Sequence, residues 1–132
     1  LEVGAGFGGT TYSILSELCN PQTSEPLFSD YTFTDISPGF FERAQETLHP
    51  WSSYVKYKVL DIEDHPQSQG FQACHYGMII AANVLHATKS IAETLTHLHY
   101  LLRPGGRLCL IDYTNPGLGV NIIYGCLPGW WK

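Results

Sequence analysis

The chain is 132 residues long, enough for one domain or part of one, and carries a net charge of −5 with only 14% charged residues. The acidic balance excludes the basic face that nucleic-acid binding requires, and no apolar run approaches the ~20 residues of a membrane span. The charged fraction lies well below the usual quarter or so of a soluble domain, so part of the surface is expected to be covered by other chain. Cys19, Cys74, Cys109 and Cys126 are widely spaced and form no C-x-x-C pair. They read as reduced, mostly buried thiols of a cytoplasmic protein.

Leu1–Gly4 reads as the end of a buried strand. Glycines then stand at positions 4, 6, 8 and 9, the mark of a tight turn that a ligand's polar groups can approach. Gly4-x-Gly6-x-x-Gly9 also satisfies the dinucleotide spacing, so the turn alone does not say which nucleotide it holds. The blander alternative is a purely structural glycine turn. Glu2, inside the strand, would sit under the amine of a bound ligand. Thr10 or Thr11 is positioned to cap a helix with Ile14, Leu15 and Leu18 as its apolar stripe, ending near Cys19 before Asn20-Pro21.

A second strand is expected over Asp30–Ile36, with Asp35 at its end, where a nucleotide-binding fold places an acid for the ribose hydroxyls. A turn aspartate is the alternative. Ser37-Pro38 reads as a helix start, with Phe40 or Phe41, Ala44 and Leu48 as the buried face and His49-Pro50 as the stop. A third strand, Val55–Leu60, delivers Asp61, Ile62 and Glu63. Asp61 could accept from an adenine amino group while Ile62 covers the ring. Tyr76–Ala82 is a continuous apolar run, expected as a central parallel strand, and it brings Asn83 and His86 to its carboxyl end. The next helix is expected over Thr88–Arg103, with Ser90-x-x-Glu93 as a capping box and Ile91, Leu95, Leu98 and Leu102 on one face. Pro104-Gly105-Gly106 stops it, and Arg107–Tyr113 is the fifth strand. Strands alternating with helices predict an open parallel sheet, Rossmann-like, with helices on both faces. The ligand is expected at the carboxyl ends of the strands.

His86 and Asp112 fall at the ends of the fourth and fifth strands, expected as neighbours about 4.8 Å apart. A carboxylate beside an imidazole fixes its tautomer and raises its basicity, giving a base and its orienter. A packed histidine at a strand end is the bland reading. His97-x-His99 reads as surface, because residues two apart lie on different helix faces. His49, His65 and His75 show no metal-ligand spacing.

Taken together, Leu1–Thr11, Tyr31–Phe41, Ala81–Thr88, Leu101–Gly106 and Leu127–Trp131 resemble the C-methyltransferase domain of fungal reducing polyketide synthases, a class I S-adenosylmethionine-dependent methyltransferase. The resemblance implies S-adenosylmethionine as cofactor, with Glu2, Gly4 and Gly6 around its methionine part. Asp35 would hold the ribose, Asp61 and Ile62 the adenine, and Asn83 the carboxyl-terminal side of the site. His86 and Asp112 would remove the proton between the two carbonyls of a β-ketoacyl thioester. The implied substrate is a polyketide bound to an acyl carrier protein, with neighbouring domains of a megasynthase as partners. The family extends on both sides of these residues, so the chain is expected to be a core fragment with five of seven strands.

Two departures stand out: Phe7 where the family usually has Thr, and Asp112 where it has Glu. The competing readings are a non-catalytic, structural methyltransferase-like domain and a nicotinamide oxidoreductase. The second would use the glycine spacing and Tyr54-x-x-x-Lys58, but a strand separates those two side chains by about 13 Å.

Overall fold

In the computed structural model, residues 1–19 and 26–112 are described. A single five-stranded parallel sheet runs in the order β3-β2-β1-β4-β5. The strands are β1 (Glu2–Val3), β2 (Tyr31–Asp35), β3 (Val55–Val59), β4 (Tyr76–Ala82) and β5 (Leu102–Ile111), and the helices are α1 (Gly9–Leu18), α2 (Phe41–Thr47) and α3 (Ile91–Leu101). Strand order reverses at β1, which pairs with β2 through Glu2 opposite Phe33 and with β4 through Glu2 opposite Ile80 and Val3 opposite Ala81. This is the expected doubly wound topology, and it opens a crevice at the carboxyl ends of β1 and β4.

Two apolar layers enclose the sheet. On one face Leu15 of α1 and Ala44 and Leu48 next to it pack with Tyr31, Phe33 and Val55. On the other, Leu98 and Leu101 of α3 pack with Val3, Ile62, Phe71, Ile79 and Ala81. Each fully buried Leu or Ile side chain contributes about 1.5–3 kcal/mol through surface removed from water. No helix among the described residues is long and apolar enough to cross a membrane.

Several local expectations are corrected. Helix α1 is capped by Gly8, whose left-handed backbone (φ 83°) turns the chain into the helix. Neither Thr10 nor Thr11 serves as the cap; Thr11 is buried and spends its hydroxyl on Glu2. Ser37 does precede a Pro38–Phe40 3-10 turn that leads into α2, but its side chain makes no capping bond. Helix α3 starts only after Ser90, whose hydroxyl accepts from the Glu93 N–H as the capping box requires. It ends at Leu101, not Arg103, and its buried face is Thr94, Leu98 and Leu101. Ile91 and Leu95 are exposed, because the sheet-facing side of α3 runs through Thr94, Leu98 and Leu101, of which the expected stripe shares only Leu98. Leu102 already pairs with Tyr76, so Pro104-Gly105-Gly106 is a bulge within β5, where the register shifts, and not a link before it. On β4 only Ile79, Ile80 and Ala81 are buried, and Met78 is half exposed. Cys74 and Cys109 are exposed and Cys19 half-buried, all free thiols, against the expectation of burial. Cys126, Tyr113 and the 127–131 block lie outside the described residues.

Gly4 illustrates how the turn constrains the sequence. Its φ is +63°, and a Cβ there would lie 2.5 Å from Val84 Cγ2. Both features demand glycine. Gly4→Ala is therefore expected to destabilise the protein by at least the ~1–2 kcal/mol of a left-handed alanine, plus the clash. Adding Val84→Ala should recover the clash component only. Urea unfolding of the four-member cycle checks this, and strictly additive effects would contradict it.

Candidate active site at the carboxyl ends of the strands

The strand ends and the turns after them line a cavity of about 420 Å³, bounded by Val3, Gly4, Asp35, Ile36, Leu60, Asp61, Ile62, Glu63, Asn83, Val84, Ala87 and Thr88. Its size falls in the range of small-molecule sites. The walls come from four separate strand ends, and the physical reason each is in place can be read residue by residue.

Asp35 ends β2 and is 6% exposed. One carboxylate oxygen accepts the Gly6 N–H at 2.9 Å and the other the Ser37 N–H at 3.0 Å. The carboxylate thereby ties the glycine turn to the neighbouring strand. An ionised carboxylate has about four acceptor positions, so two backbone bonds leave capacity for ligand hydroxyls on the cavity side. Ala5 N–H to Thr34 O, at 2.9 Å, fastens the same turn a second time.

Asp61 and Ile62 follow β3. The Asp61 carboxylate accepts the Glu63 N–H at 2.9 Å, and Ile62 is 5% exposed. Gln69 braces the turn from outside: its Oε1 accepts the Asp61 N–H at 2.8 Å, and its Nε2 donates to Asp61 O at 2.7 Å and Asp64 O at 3.1 Å. The Glu63 carboxylate accepts from Lys89, through Nζ at 2.6 Å and the backbone N–H at 2.7 Å, which links this wall to the opposite one. That carboxylate raises the Lys89 pKa, first by hydrogen bonding and then by charge.

Asn83 leaves β4 with φ 57°, a left-handed conformation that Asn tolerates better than most side chains. Its N–H donates to Ile111 O at 2.6 Å. The chain thereby swings into the short turn Leu85–Ala87. His86, on that turn, faces the end of β5. Its Nδ1 lies 2.5 Å from Asp112 Oδ1, and its backbone N–H donates to Asp112 Oδ2 at 3.2 Å. Since the carboxylate accepts, Nδ1 carries the proton and the ring's lone pair is on Nε2. The expected His86–Asp112 pair is thus brought together, and Asp112 reaches the ring despite being one methylene shorter than the family's Glu.

Glu2 is not brought to the cavity. It is 1% exposed, and its Oε2 accepts from Thr11 Oγ1 and Tyr31 OH, both at 2.6 Å. The same buried cluster sits under the glycine turn and faces α1. Gly6 is likewise absent from the lining; it acts through its bond to Asp35. Phe7 turns outward, 52% exposed, with its ring edge on Phe40 at 4.8 Å and the Arg43 guanidinium 5.0 Å above it. It does not crowd the turn. Lys58 extends over the Phe71 ring, while Tyr54 meets Phe28 edge to face, so the Tyr-x-x-x-Lys pair does not form.

The residues missed in the sequence are one on the cavity wall, Ile36, and two that act from a distance, Gln69 and His97. Ile36 was expected inside β2 but lies just past it, 62% exposed, on the cavity wall. An apolar residue directly after a strand-ending acid is the signal that could have found it. Gln69 carries no such signal, since it sits in a polar loop. His97 was read as surface, yet it is half-buried and its Nδ1 contacts Ile62 O at 2.8 Å.

A Rossmann-like sheet with an acid at the end of β2, a glycine turn at its reversal and a cavity across the carboxyl ends of β1 to β4 is the architecture of nucleotide-binding α/β proteins, the class I methyltransferases among them. The family of methyltransferase domains matches residues 1–108, and the chain belongs to this family. It is 48% identical over 133 residues to the highly reducing polyketide synthase azaB of Aspergillus niger, covering 99% of this chain but 5% of that protein. Among solved structures, the trans-methyltransferase CalH in complex with SAH superposes with a TM-score of 0.93 at 45% identity, over 98% of this chain and 36% of that one. The CurJ carbon methyltransferase gives 0.85 at 48% identity, over 99% and 33%. The chain therefore spans a small part of the curated synthase and about a third of each solved methyltransferase.

Burial raises the Glu2 pKa above the usual 4.5, opposed by the two hydroxyl donors. A folded pKa above the unfolded one means stability that is complete below the unfolded value and lost as pH rises through the folded value. Glu2→Gln removes that titration. In urea unfolding from about pH 4 to about pH 8, the variant should gain on the wild type as pH rises; parallel profiles would contradict the assignment.

Proposed function

We propose that the chain is a C-methyltransferase acting on the α-carbon of a β-ketoacyl polyketide thioester, presented by an acyl carrier protein within a cytoplasmic megasynthase whose neighbouring domains are its partners. The observation that carries the reading is the His86–Asp112 pair, His86 being the chain neighbour of Ala87, which lines the cavity. It is supported by the polyketide synthase and carbon methyltransferase relatives.

The cavity's chemistry fits S-adenosylmethionine. Asp35 is an acceptor-only group suited to two adjacent ribose hydroxyls, and Asp61 suits an exocyclic amine. Ile36, Ile62 and Val84 supply apolar surface for a flat ring, and the Gly4 turn leaves room for the methionine end beside Asn83. Gly6 contributes by holding Asp35, and Glu2 by supporting the turn from beneath rather than by touching the cofactor. Bound there, the cofactor supplies an electrophilic methyl carbon on a sulfonium.

The remaining work falls to side chains. His86 Nε2 takes the proton from the α-carbon flanked by the thioester and ketone carbonyls, whose acidity makes an imidazole a competent base. The proton stays on Nε2, and the Asp112 carboxylate stabilises the resulting imidazolium through the Nδ1–H bond. The two backbone and side-chain bonds from His86 to Asp112 fix the ring's direction, and alignment of this kind is worth several kcal/mol of barrier.

His86→Ala is expected to lower methyl transfer to a β-ketoacyl thioester by about 10²–10⁴-fold while S-adenosylmethionine affinity stays within a few-fold. Asp112→Asn should lose most of the same factor by releasing the tautomer. Transfer of labelled methyl under single-turnover conditions checks both; near wild-type transfer by the His86 variant would overturn the base assignment.

A further inference from the structure

The turn Asp61–Asp64 forms one wall of the cavity, and its backbone is gripped from two sides. Gln69 takes the Asp61 N–H and the Asp61 and Asp64 carbonyls. From the other side, His97 of α3 reaches the Ile62 carbonyl at 2.8 Å. A carbonyl only accepts, so Nδ1 is the protonated nitrogen of His97 and the bond fixes its tautomer. The ring is held from behind by the edge of His65, 5.4 Å between centroids, and His65 in turn by Tyr100 at 4.7 Å. Ile62 itself is 5% exposed and packs in the same layer as Leu98 of α3. The turn that carries His86 leads directly into α3, so the helix is attached to both walls of the cavity.

We propose that His97 is a positioning residue for the nucleoside end of the cofactor: its Nδ1–H bond to Ile62 O sets where the Asp61–Ile62 wall stands, and thereby the fit of the adenine. This rests on the reading of the cavity as an S-adenosylmethionine site. His97 touches neither cofactor nor reacting atoms; it acts through the Ile62 backbone. Without the donor, the Ile62 carbonyl loses its partner and must find water, and that side of the wall is held less firmly.

The choice of variants separates the donor from the ring. His97→Phe keeps the aromatic contact with His65 and removes the donor. His97→Asn places an amide N–H near the position of Nδ1. His97→Gln places it one methylene further out and stands in for His97→Phe if that protein does not fold. The probes are S-adenosylhomocysteine and its inosine counterpart, in which the adenine amino group is replaced by an oxo group, titrated calorimetrically into the full-length protein. His97→Phe is expected to weaken S-adenosylhomocysteine binding about five- to tenfold and to shrink the preference for adenine over the inosine base. Methyl transfer at saturating cofactor should stay within about twofold, so that KM moves and kcat does not. His97→Asn should restore both affinity and preference. Wild-type affinity in His97→Phe, or an unchanged base preference, or failure of His97→Asn to restore binding, would each overturn the proposal. If the wild type binds neither probe, the cofactor reading itself fails and this inference falls with it.

Discussion

The site depends on the Asp35 carboxylate. With one oxygen on the Gly6 N–H and the other on the Ser37 N–H, it joins the glycine turn after β1 to the chain leaving β2. The Ala5 N–H bond to Thr34 O adds a second tie between the turn and β2. The turn contains four glycines in six positions and has little intrinsic preference, while the end of β2 is held by its own ladder through Asp35 opposite Val59 and the Leu60 N–H bond to Asp35 O. Because the Asp35 side chain also lines the cavity, the group that orders the turn presents acceptor oxygens to a polyhydroxylated ligand. Position and recognition are properties of one side chain.

Beneath the turn, Glu2 solves a different problem. A carboxylate in the central strand faces α1, and Thr11 and Tyr31 satisfy it. Burial in this position is unfavourable to the charged form, yet the hydroxyls come from α1 and β2, the elements that flank the turn. The cluster therefore specifies how α1 seats on the sheet. On the opposite face α3 has the analogous task, through apolar packing of Leu98 and Leu101 and the His97 bond to Ile62. Elements on both faces of the sheet thus set the cavity walls, and the Glu63–Lys89 bonds link those walls.

Much of this was legible in the sequence because it follows from backbone demands. The glycine turn, the strand-ending acids Asp35 and Asp61, the capping box at Ser90 and the apolar β4 each announce their role through residue type and spacing. The sheet class follows from the alternation of those elements, and the pairing of His86 with Asp112 from placing both at ends of adjacent strands. What was not legible involves direction and distance. Glu2 lies one residue from the cavity in sequence but points away from it, since side chains alternate along a strand. The stripe of α3 was displaced because Thr94, polar yet buried, substitutes for an apolar residue on the sheet-facing side. Gln69 and His97 brace the site from segments that carry no periodic signal. The β5 bulge escaped notice because Pro104-Gly105-Gly106 has the composition of a link between elements, whereas here the chain pairs with Tyr76 before it reaches the bulge.

The most direct test of the central claim, that the crevice between the β2–β3 ends and the β4 turn is an S-adenosylmethionine site, is calorimetric titration of the full-length protein and of its Asp35→Ala variant with S-adenosylmethionine and, separately, NADPH. The wild type is expected to bind S-adenosylmethionine and the variant to lose that binding, with any NADPH binding unaffected by the substitution. S-adenosylmethionine binding that survives loss of Asp35, or an NADPH site that disappears with it, would contradict the account.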